Sequence, residues 1–290
     1  MDKKKFKYFT ISSLAFGTWR IGGGYWYADH SRDKEWIDAI RKAVELGITT
    51  IDTAEMYGNG HAEELVGEAI KGLARDDIFI VSKVWPSHAD YDNVIKSANK
   101  SAKRLGTYID LYLLHSPSRV PICKTIKAFE KLVDDGIIRF FGLSNFDVEG
   151  IEKAKECVSK YEIVAIQNHY SLLSRGDERK ALAYAEKNGM LYMAYTPLEN
   201  GILSRNEFLS TIGRKYNKSA TQVALNWYIC RNNLLPIVKA SRVEHVEENA
   251  GAMGWRLSEE DWRAIDEHFR ERSYFLDKMV STLKSLRPWS

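Results

Sequence analysis

Residues 109–115 read Ile-Asp-Leu-Tyr-Leu-Leu-His, a short and almost continuous apolar run that ends on an ionisable side chain. The same design recurs along the chain. Ile48-Thr49-Thr50-Ile51-Asp52 and Ile78-Phe79-Ile80-Val81-Ser82-Lys83 precede it; residues 137–145 (IIRFFGLSN), 163–168 (IVAIQN), 190–195 (MLYMAY) and 234–239 (LLPIVK) follow. The starts of these runs lie 30, 31, 28, 26, 27 and 44 residues apart, and Leu14-Ala15-Phe16-Gly17 precedes them by a similar interval, which makes eight. Runs that are continuous rather than alternating belong to strands covered on both faces, as in a parallel sheet.

The segments between the runs carry helical periodicity. Trp36, Ile37, Ile40, Val44 and Leu46 share one face, as do Leu65, Val66, Ala69, Ile70 and Leu73. Further helices are predicted at about 91–105, 122–135, 148–159, 177–188, 219–230 and 243–251. Eight strand–helix units of roughly 30 residues predict a (β/α)8 TIM barrel, whereas a doubly wound open sheet usually has fewer. The expectation is one α/β domain over 1–290, with its core at about 11–268 and additional C-terminal helices. One such helix spans Ser258 to Arg270, with Ser258 as N-cap and Glu259, Glu260 and Asp261 in its first turn. A helix-like tail at 273–290 contains Phe275, Leu276, Met279, Val280, Leu283 and Leu286.

Composition narrows the function classes. Hydrophobic residues make up 44% of the 290 positions and charged residues 28%, the balance of an ordinary folded chain. A net charge of +3, from 42 basic and 39 acidic residues with no dominant basic block, points away from nucleic acid. No run reaches the ~18 apolar residues of a membrane helix, and the start MDKKKFKYFT lacks the apolar stretch of a signal peptide, so a cytoplasmic protein is expected. Cys123, Cys157 and Cys230 stand far apart, which predicts reduced, free thiols rather than a disulfide framework or a structural zinc site. No His/Asp/Glu cluster shows ligand spacing, so no metal is expected.

In a barrel of this kind the chemistry belongs at the C-terminal ends of the strands. Asp52, Lys83, His115, Asn145, Gln167 and Tyr195 all sit at that end of their runs. The long interval at about 196–218 is expected to be a loop folding over something bound at the rim.

The segment Ile51-Asp52-Thr53-Ala54-Glu55-Met56-Tyr57-Gly58-Asn59-Gly60-His61-Ala62-Glu63-Glu64-Leu65-Val66-Gly67 closely resembles the aldo-keto reductases. The resemblance continues through Val81-Ser82-Lys83, Asp110 to His115, Gly142-Leu143-Ser144-Asn145-Phe146, Gln167-Asn168, Tyr195-Thr196-Pro197-Leu198 and Glu247 to Ala252. It implies a catalytic tetrad of Asp52, Tyr57, Lys83 and His115, none of them substituted, and an NAD(P)H-dependent reduction of aldehydes or ketones. The logic is independent of the likeness. Carbonyl reduction by hydride needs a proton at the oxygen, and a tyrosine of pKa ~10 is a poor donor near neutrality. A neighbouring lysine ammonium is expected to lower that pKa by ~1–3 units. Asp52 would hold Lys83 charged, and His115 would hydrogen-bond the substrate oxygen.

No Gly-x-Gly-x-x-Gly follows a strand, which argues against a Rossmann dehydrogenase; the family binds its dinucleotide on the barrel itself. The resemblance implies Gly17, Thr18 and Asp52 near the nicotinamide ribose, and Ser144, Asn145 and Gln167 on the carboxamide. Tyr195 would stack on the nicotinamide ring, with Thr196, Leu198 and Gly201 starting the segment around the pyrophosphate. Lys239, Ser241 and Arg242 offer two cations and a hydroxyl at a helix N-terminus, favourable for a 2′-phosphate. His245 stands where many members have arginine, while Glu248 and Asn249 are expected to meet the adenine. NADP(H) is therefore the expected cofactor, with NAD(H) admissible.

Trp19, Trp26 and Trp85 would line the substrate pocket, with Ser116 where the family usually has tryptophan, leaving it wider or more polar. The expected partner is a small carbonyl compound, with neither nucleic acid nor membrane involved. The rival reading is a redox-sensing module like the reductase-like β subunits of voltage-gated potassium channels, in which turnover is slow. A metal- or phosphate-sugar-dependent barrel enzyme lacks its ligand cluster here.

Overall fold

The computed structural model describes residues 2–270 of the 290. The tail expected at 273–290 lies outside them. Eight parallel strands close into a barrel in the order β10-β3-β4-β5-β6-β7-β8-β9. They are β3 (Ala15–Gly17), β4 (Thr50–Asp52), β5 (Phe79–Val84), β6 (Ile109–Leu114), β7 (Ile138–Ser144), β8 (Ile163–His169), β9 (Leu191–Tyr195) and β10 (Leu234–Lys239), after a hairpin of β1 (Lys3–Lys5) and β2 (Thr10–Ser12). Each of the predicted runs is a strand. Around them lie α1 (Asp33–Glu45), α2 (His61–Ala69), α3 (Tyr91–Leu105), α4 (Ile122–Asp134), α5 (Val148–Lys155), α6 (Ala181–Lys187), α7 (Glu207–Tyr216), α8 (Ala220–Ile229) and α9 (Val243–Ala250). A last helix occupies 259–270.

Most residues of the barrel strands are buried because both faces are covered. In β5 and β6 every residue is buried. Side chains pointing inward, among them Ala15, Phe79, Val81, Leu111, Leu113, Met193 and Ile237, fill the barrel, while outward-pointing ones join the larger core beneath the helices. A helix such as α3 follows from local rules. The Asp90 side chain accepts from the Asn93 amide at the N-cap, and Gly106 closes the C-terminus at φ 69°, a left-handed conformation that favours glycine. Its buried stripe of Val94, Ser97, Ala98, Ser101 and Leu105 faces the sheet.

The N-terminal hairpin, which carries no periodic signal, decides which barrel end is open. The Phe9 ring lies tilted against Phe79 and Phe140, with centres 5.0 and 5.1 Å away, and Phe6 packs beside it, plugging the end where the strands begin. Lys4 is buried there, its ammonium donating to the backbone carbonyls of Arg231 at 2.5 Å, Tyr228 at 3.5 Å and Leu234. The opposite rim is left for chemistry.

Three expectations are corrected. The stretch 196–218 is not a plain loop: two short 3-10 turns, Glu199–Gly201 and Leu203–Arg205, lead into α7. Asn206 caps that helix, accepting from the Leu209 amide, and Leu209 and Ile212 bury its inner side. Gly213 and a largely polar composition masked this periodicity. The three cysteines are not all free thiols. Helices α4 and α5 are neighbours around the barrel, which brings the Cα atoms of Cys123 and Cys157 to 5.0 Å, and the two form a disulfide. Only Cys230 is free among the described residues. Helices expected at 148–159 and 177–188 are also shorter, Val148–Lys155 and Ala181–Lys187.

Candidate active site

Asp52 ends β4 and Lys83 stands one residue before the end of the adjacent β5, so the closed sheet sets the two side by side. The Lys83 ammonium, wholly buried, donates to Asp52 Oδ1 at 2.7 Å and to the Thr53 carbonyl at 2.8 Å. The other carboxylate oxygen accepts from Gln167 Nε2 at 2.7 Å, a bond across the barrel mouth from β8. Thr18 Oγ1 donates to the Asp52 carbonyl at 3.1 Å. Burial pulls the Lys83 pKa below the usual lysine range, and the Asp52 charge opposes that shift.

Tyr57 lies in the segment after β4, where a bridge to Tyr25 ties it to the loop after β3. Its ring centre is 5.1 Å from Lys83 Nζ, 5.0 Å from the Trp19 ring and 5.8 Å from that of His115. The expectation that Lys83 acidifies this phenol is corrected. Burial, reinforced by the Asp52 charge, pushes the Tyr57 pKa well above its ordinary value. His115 follows β6, with Trp85 at 5.1 Å. Burial first, then the Lys83 charge, pushes its imidazole pKa down to about 3, so the ring is neutral. Its Nδ1 is buried and has no hydrogen-bond partner among the described residues.

The expected pocket aromatics gather around these side chains. Trp26 meets Trp85 edge-on at 6.1 Å and His88 at 5.8 Å, while Tyr25 lies 4.6 Å from Trp19. Glu55, which the sequence did not single out, holds Trp85 in place: its Oε1 accepts from the Trp85 amide at 2.7 Å and pairs with His88 Nδ1 at 2.9 Å. Ser116 follows His115 at the half-buried rim and makes no side-chain hydrogen bond among the described residues.

Farther round the rim, Asn145 adopts a left-handed backbone at φ 62° and donates from Nδ2 to the His115 carbonyl at 2.8 Å. Tyr195 donates its hydroxyl to Asn145 Oδ1 at 2.7 Å, and Ser144 is buried beside them. Thr196 and Gly201 start the segment after β9 with positive φ of 58° and 91°, and Leu198 packs on the core between them. Gly17 is needed because a Cβ there would come within 2.9 Å of Ile237 Cγ2. The Glu248 carboxylate accepts from the Ser219 hydroxyl at the start of α8, and Asn249 is buried.

Residues at the end of β10 and the start of α9 fit an anionic group. The Lys239 pKa is lowered by desolvation and then by the charges of Arg32 and Arg20, and Lys239 has no acceptor among the described residues. Ser241 and Arg242 precede α9, with Arg242 Nη2 at 2.6 Å from His245 Nε2. Two cations and a hydroxyl, Lys239, Arg242 and Ser241, next to a helix N-terminus, form a donor set that a phosphate satisfies.

A sequence profile of the Aldo/keto reductase family matches residues 13–270. The chain belongs to this family. As an aldo/keto reductase it is an NAD(P)H-dependent oxidoreductase acting on carbonyl groups. The reductase is 38% identical over 258 residues to the methylglyoxal reductase YeaE of Escherichia coli (strain K12), covering 86% of this chain and 90% of that one. It resembles the crystal structure of the thermostable aldo-keto reductase Tm1743 in complex with the inhibitor epalrestat, with a TM-score of 0.87, 40% identity and 92% and 99% of the two chains covered. An aldo/keto reductase from Klebsiella pneumoniae in complex with NADP and acetate aligns with a TM-score of 0.85 at 34% identity, over 92% and 95% of the chains. Among the described residues of the reductase, no helix is long and apolar enough to cross a membrane.

Proposed function

We propose that this reductase converts small aldehydes and α-oxoaldehydes to alcohols, with NADP(H) preferred and NAD(H) admitted, and with Tyr57 as the proton donor. The observation that carries the reading is the fully buried Lys83 ammonium, fixed by Asp52 at 2.7 Å and 5.1 Å from the Tyr57 ring centre. When bound, the nicotinamide cofactor supplies hydride to the carbonyl carbon. Gly17, Thr18, Asn145, Gln167 and Tyr195 would hold it at the rim, and Lys239, Ser241 and Arg242 would hold its phosphate end.

The protein's own share is to manage the proton at the carbonyl oxygen. Burial keeps the Tyr57 phenol fully protonated at neutral pH, so a proton is always available to give. Transfer becomes favourable only as negative charge builds on the substrate oxygen. The Lys83 ammonium, 5.1 Å from the Tyr57 ring centre, would stabilise the tyrosinate left behind. His115, neutral because burial lowers its pKa to about 3, orients that oxygen by a hydrogen bond rather than by delivering a proton. Trp19, Trp26 and Trp85 enclose an apolar substrate body and exclude water. The small-dicarbonyl preference rests on the likeness to the methylglyoxal reductase of Escherichia coli.

The test follows NADPH oxidation with methylglyoxal, glyoxal and larger aldehydes. Tyr57→Phe is expected to lower kcat by ~10²–10⁴ while NADPH binding is retained. Full turnover by that variant rejects Tyr57 as the donor. Tight cofactor retention with negligible turnover of every aldehyde by the wild type rejects the enzyme reading in favour of a sensing module. Arg242→Ala is expected to weaken NADPH binding by roughly 10–100-fold and to spare NADH; equal effects on both cofactors refute the phosphate assignment.

A further inference from the structure

Outside the proposed active site, the fold assembles a cluster of metal-ligating side chains that no sequence motif suggests. His30 ends the aromatic loop after β3, Asp33 is the first residue of α1, and His61 is the first residue of α2, immediately after the segment carrying Tyr57. Their ligand atoms all lie within 4.8 Å of one another. Both imidazoles address one carboxylate: His61 Nε2 lies 2.8 Å from Asp33 Oδ1, and His30 Nδ1 lies 3.3 Å from Asp33 Oδ2. The two rings sit 3.9 Å apart, centre to centre. Zinc bound at ~2.0–2.1 Å in tetrahedral geometry separates its ligand atoms by about 3.3 Å, so these two pairs need little adjustment.

The surroundings favour a cation as well. His61 stands between two carboxylates, donating from Nδ1 to Glu64 Oε2 at 2.9 Å and from Nε2 to Asp33 Oδ1 at 2.8 Å, and a cation entering the cluster would displace the Nε2 proton. Metal-bound histidines commonly have a carboxylate on the second ring nitrogen, where it fixes tautomer and orientation. Asp33 and Glu64 together offset the positive ends of α1 and α2. Arg32, next to Asp33 in sequence, is bonded to Glu35. His61 is buried and His30 exposed, so the site is anchored on one side and open to solvent on the other.

We propose that His30, Asp33 and His61 form a binding site for a borderline divalent cation of the zinc class, with water completing the tetrahedron. Such an ion ties three elements together: the end of the loop bearing Trp26, the start of α1 and the start of α2. The loop is already laced to the Tyr57 segment by Trp26 N to Met56 O at 3.1 Å and by Gly58 N to Gly24 O at 2.8 Å. Zinc therefore locks the aromatic loop against the segment carrying Tyr57 without entering the proposed chemistry.

The test titrates the chelator-treated, disulfide-intact protein carrying Cys230→Ser, so that no thiol competes, with ZnCl2 against a chromophoric chelator. One equivalent per chain is expected. His30→Ala, on an exposed loop where folding is not at stake, and Asp33→Asn are expected to abolish it, and Glu64→Gln to weaken it about tenfold. Co²⁺ is expected to give the visible bands of a four-coordinate N/O site, and ZnCl2 to slow amide exchange in residues 20–32 and 56–61. Absence of saturable binding, undiminished binding by His30→Ala, or a Co²⁺ spectrum with sulfur charge transfer overturns the site. Unchanged exchange in both segments overturns the clamp.

Discussion

Asp52→Asn is the sharpest probe of the buried pair at the barrel mouth, because it keeps the shape and removes one charge. Asp52 now accepts from Lys83 on one oxygen and from Gln167 on the other, both at 2.7 Å. Asparagine has a single oxygen, so one donor must face the new amide group. If the Lys83 ammonium stays charged, it keeps only the Thr53 carbonyl, and the attraction lost at 2.7 Å is about 6 kcal/mol at an effective dielectric of ~20. Losing the proton at about pH 7 instead caps the cost near 5 kcal/mol, the free energy of discharging a lysine of ordinary pKa ~10.4. The expected loss of stability is therefore ~3–5 kcal/mol, the range for a buried pair stripped of one partner. Because a lysine pKa lowered by folding leaves the unfolded chain binding more protons, part of that loss should return as pH rises toward about 10. Urea unfolding of the ligand-free protein, followed by tryptophan fluorescence, measures both effects. Combining Asp52→Asn with Lys83→Met removes the stranded charge and should recover stability to within about 2 kcal/mol of wild type. If the double variant is no more stable than Asp52→Asn alone, the damage does not come from an uncompensated ammonium and the reasoning fails.

Two further predictions concern stability. The His115 pKa falls from an ordinary 6.5 to about 3 on folding, so the unfolded chain binds more protons between those values and stability drops on acidification through that window. The contribution is about 3 kcal/mol between pH 6.5 and pH 4, and His115→Asn should flatten the slope of urea stability against pH by that amount; an unchanged slope rejects a neutral, buried imidazole. The Cys123–Cys157 bridge spans 34 residues of sequence. Reduction should cost ~2–4 kcal/mol and raise the titratable thiols under denaturing conditions from one to three, whereas three thiols before reduction would show that the bridge is not formed.

Much of this was readable from the chain before any coordinates. The spacing of the apolar runs determined the eight-stranded barrel, because a strand covered on both faces must be apolar throughout and each crossover helix needs a similar length of chain. The barrel in turn placed Asp52, Lys83, His115, Asn145, Gln167 and Tyr195 on one rim, and the motif around Tyr57 supplied the family. What escaped was whatever depends on contacts between distant segments. The hairpin that plugs the barrel floor is too short for periodicity, and α7 lay hidden in a mixed polar stretch. Cys123 and Cys157 became partners only when α4 and α5 were laid side by side. The sign of the Tyr57 shift could not be read from its neighbours in sequence, because it is set first by burial, a property of the packed molecule, and then by the Asp52 charge. His30, Asp33 and His61 likewise share no motif; they meet because the loop after β3 folds back onto the start of α2. Local patterns determine which elements form and which rim carries the chemistry, while proton affinities and cross-chain pairings are decided by how closely the folded chain excludes water and brings remote residues together.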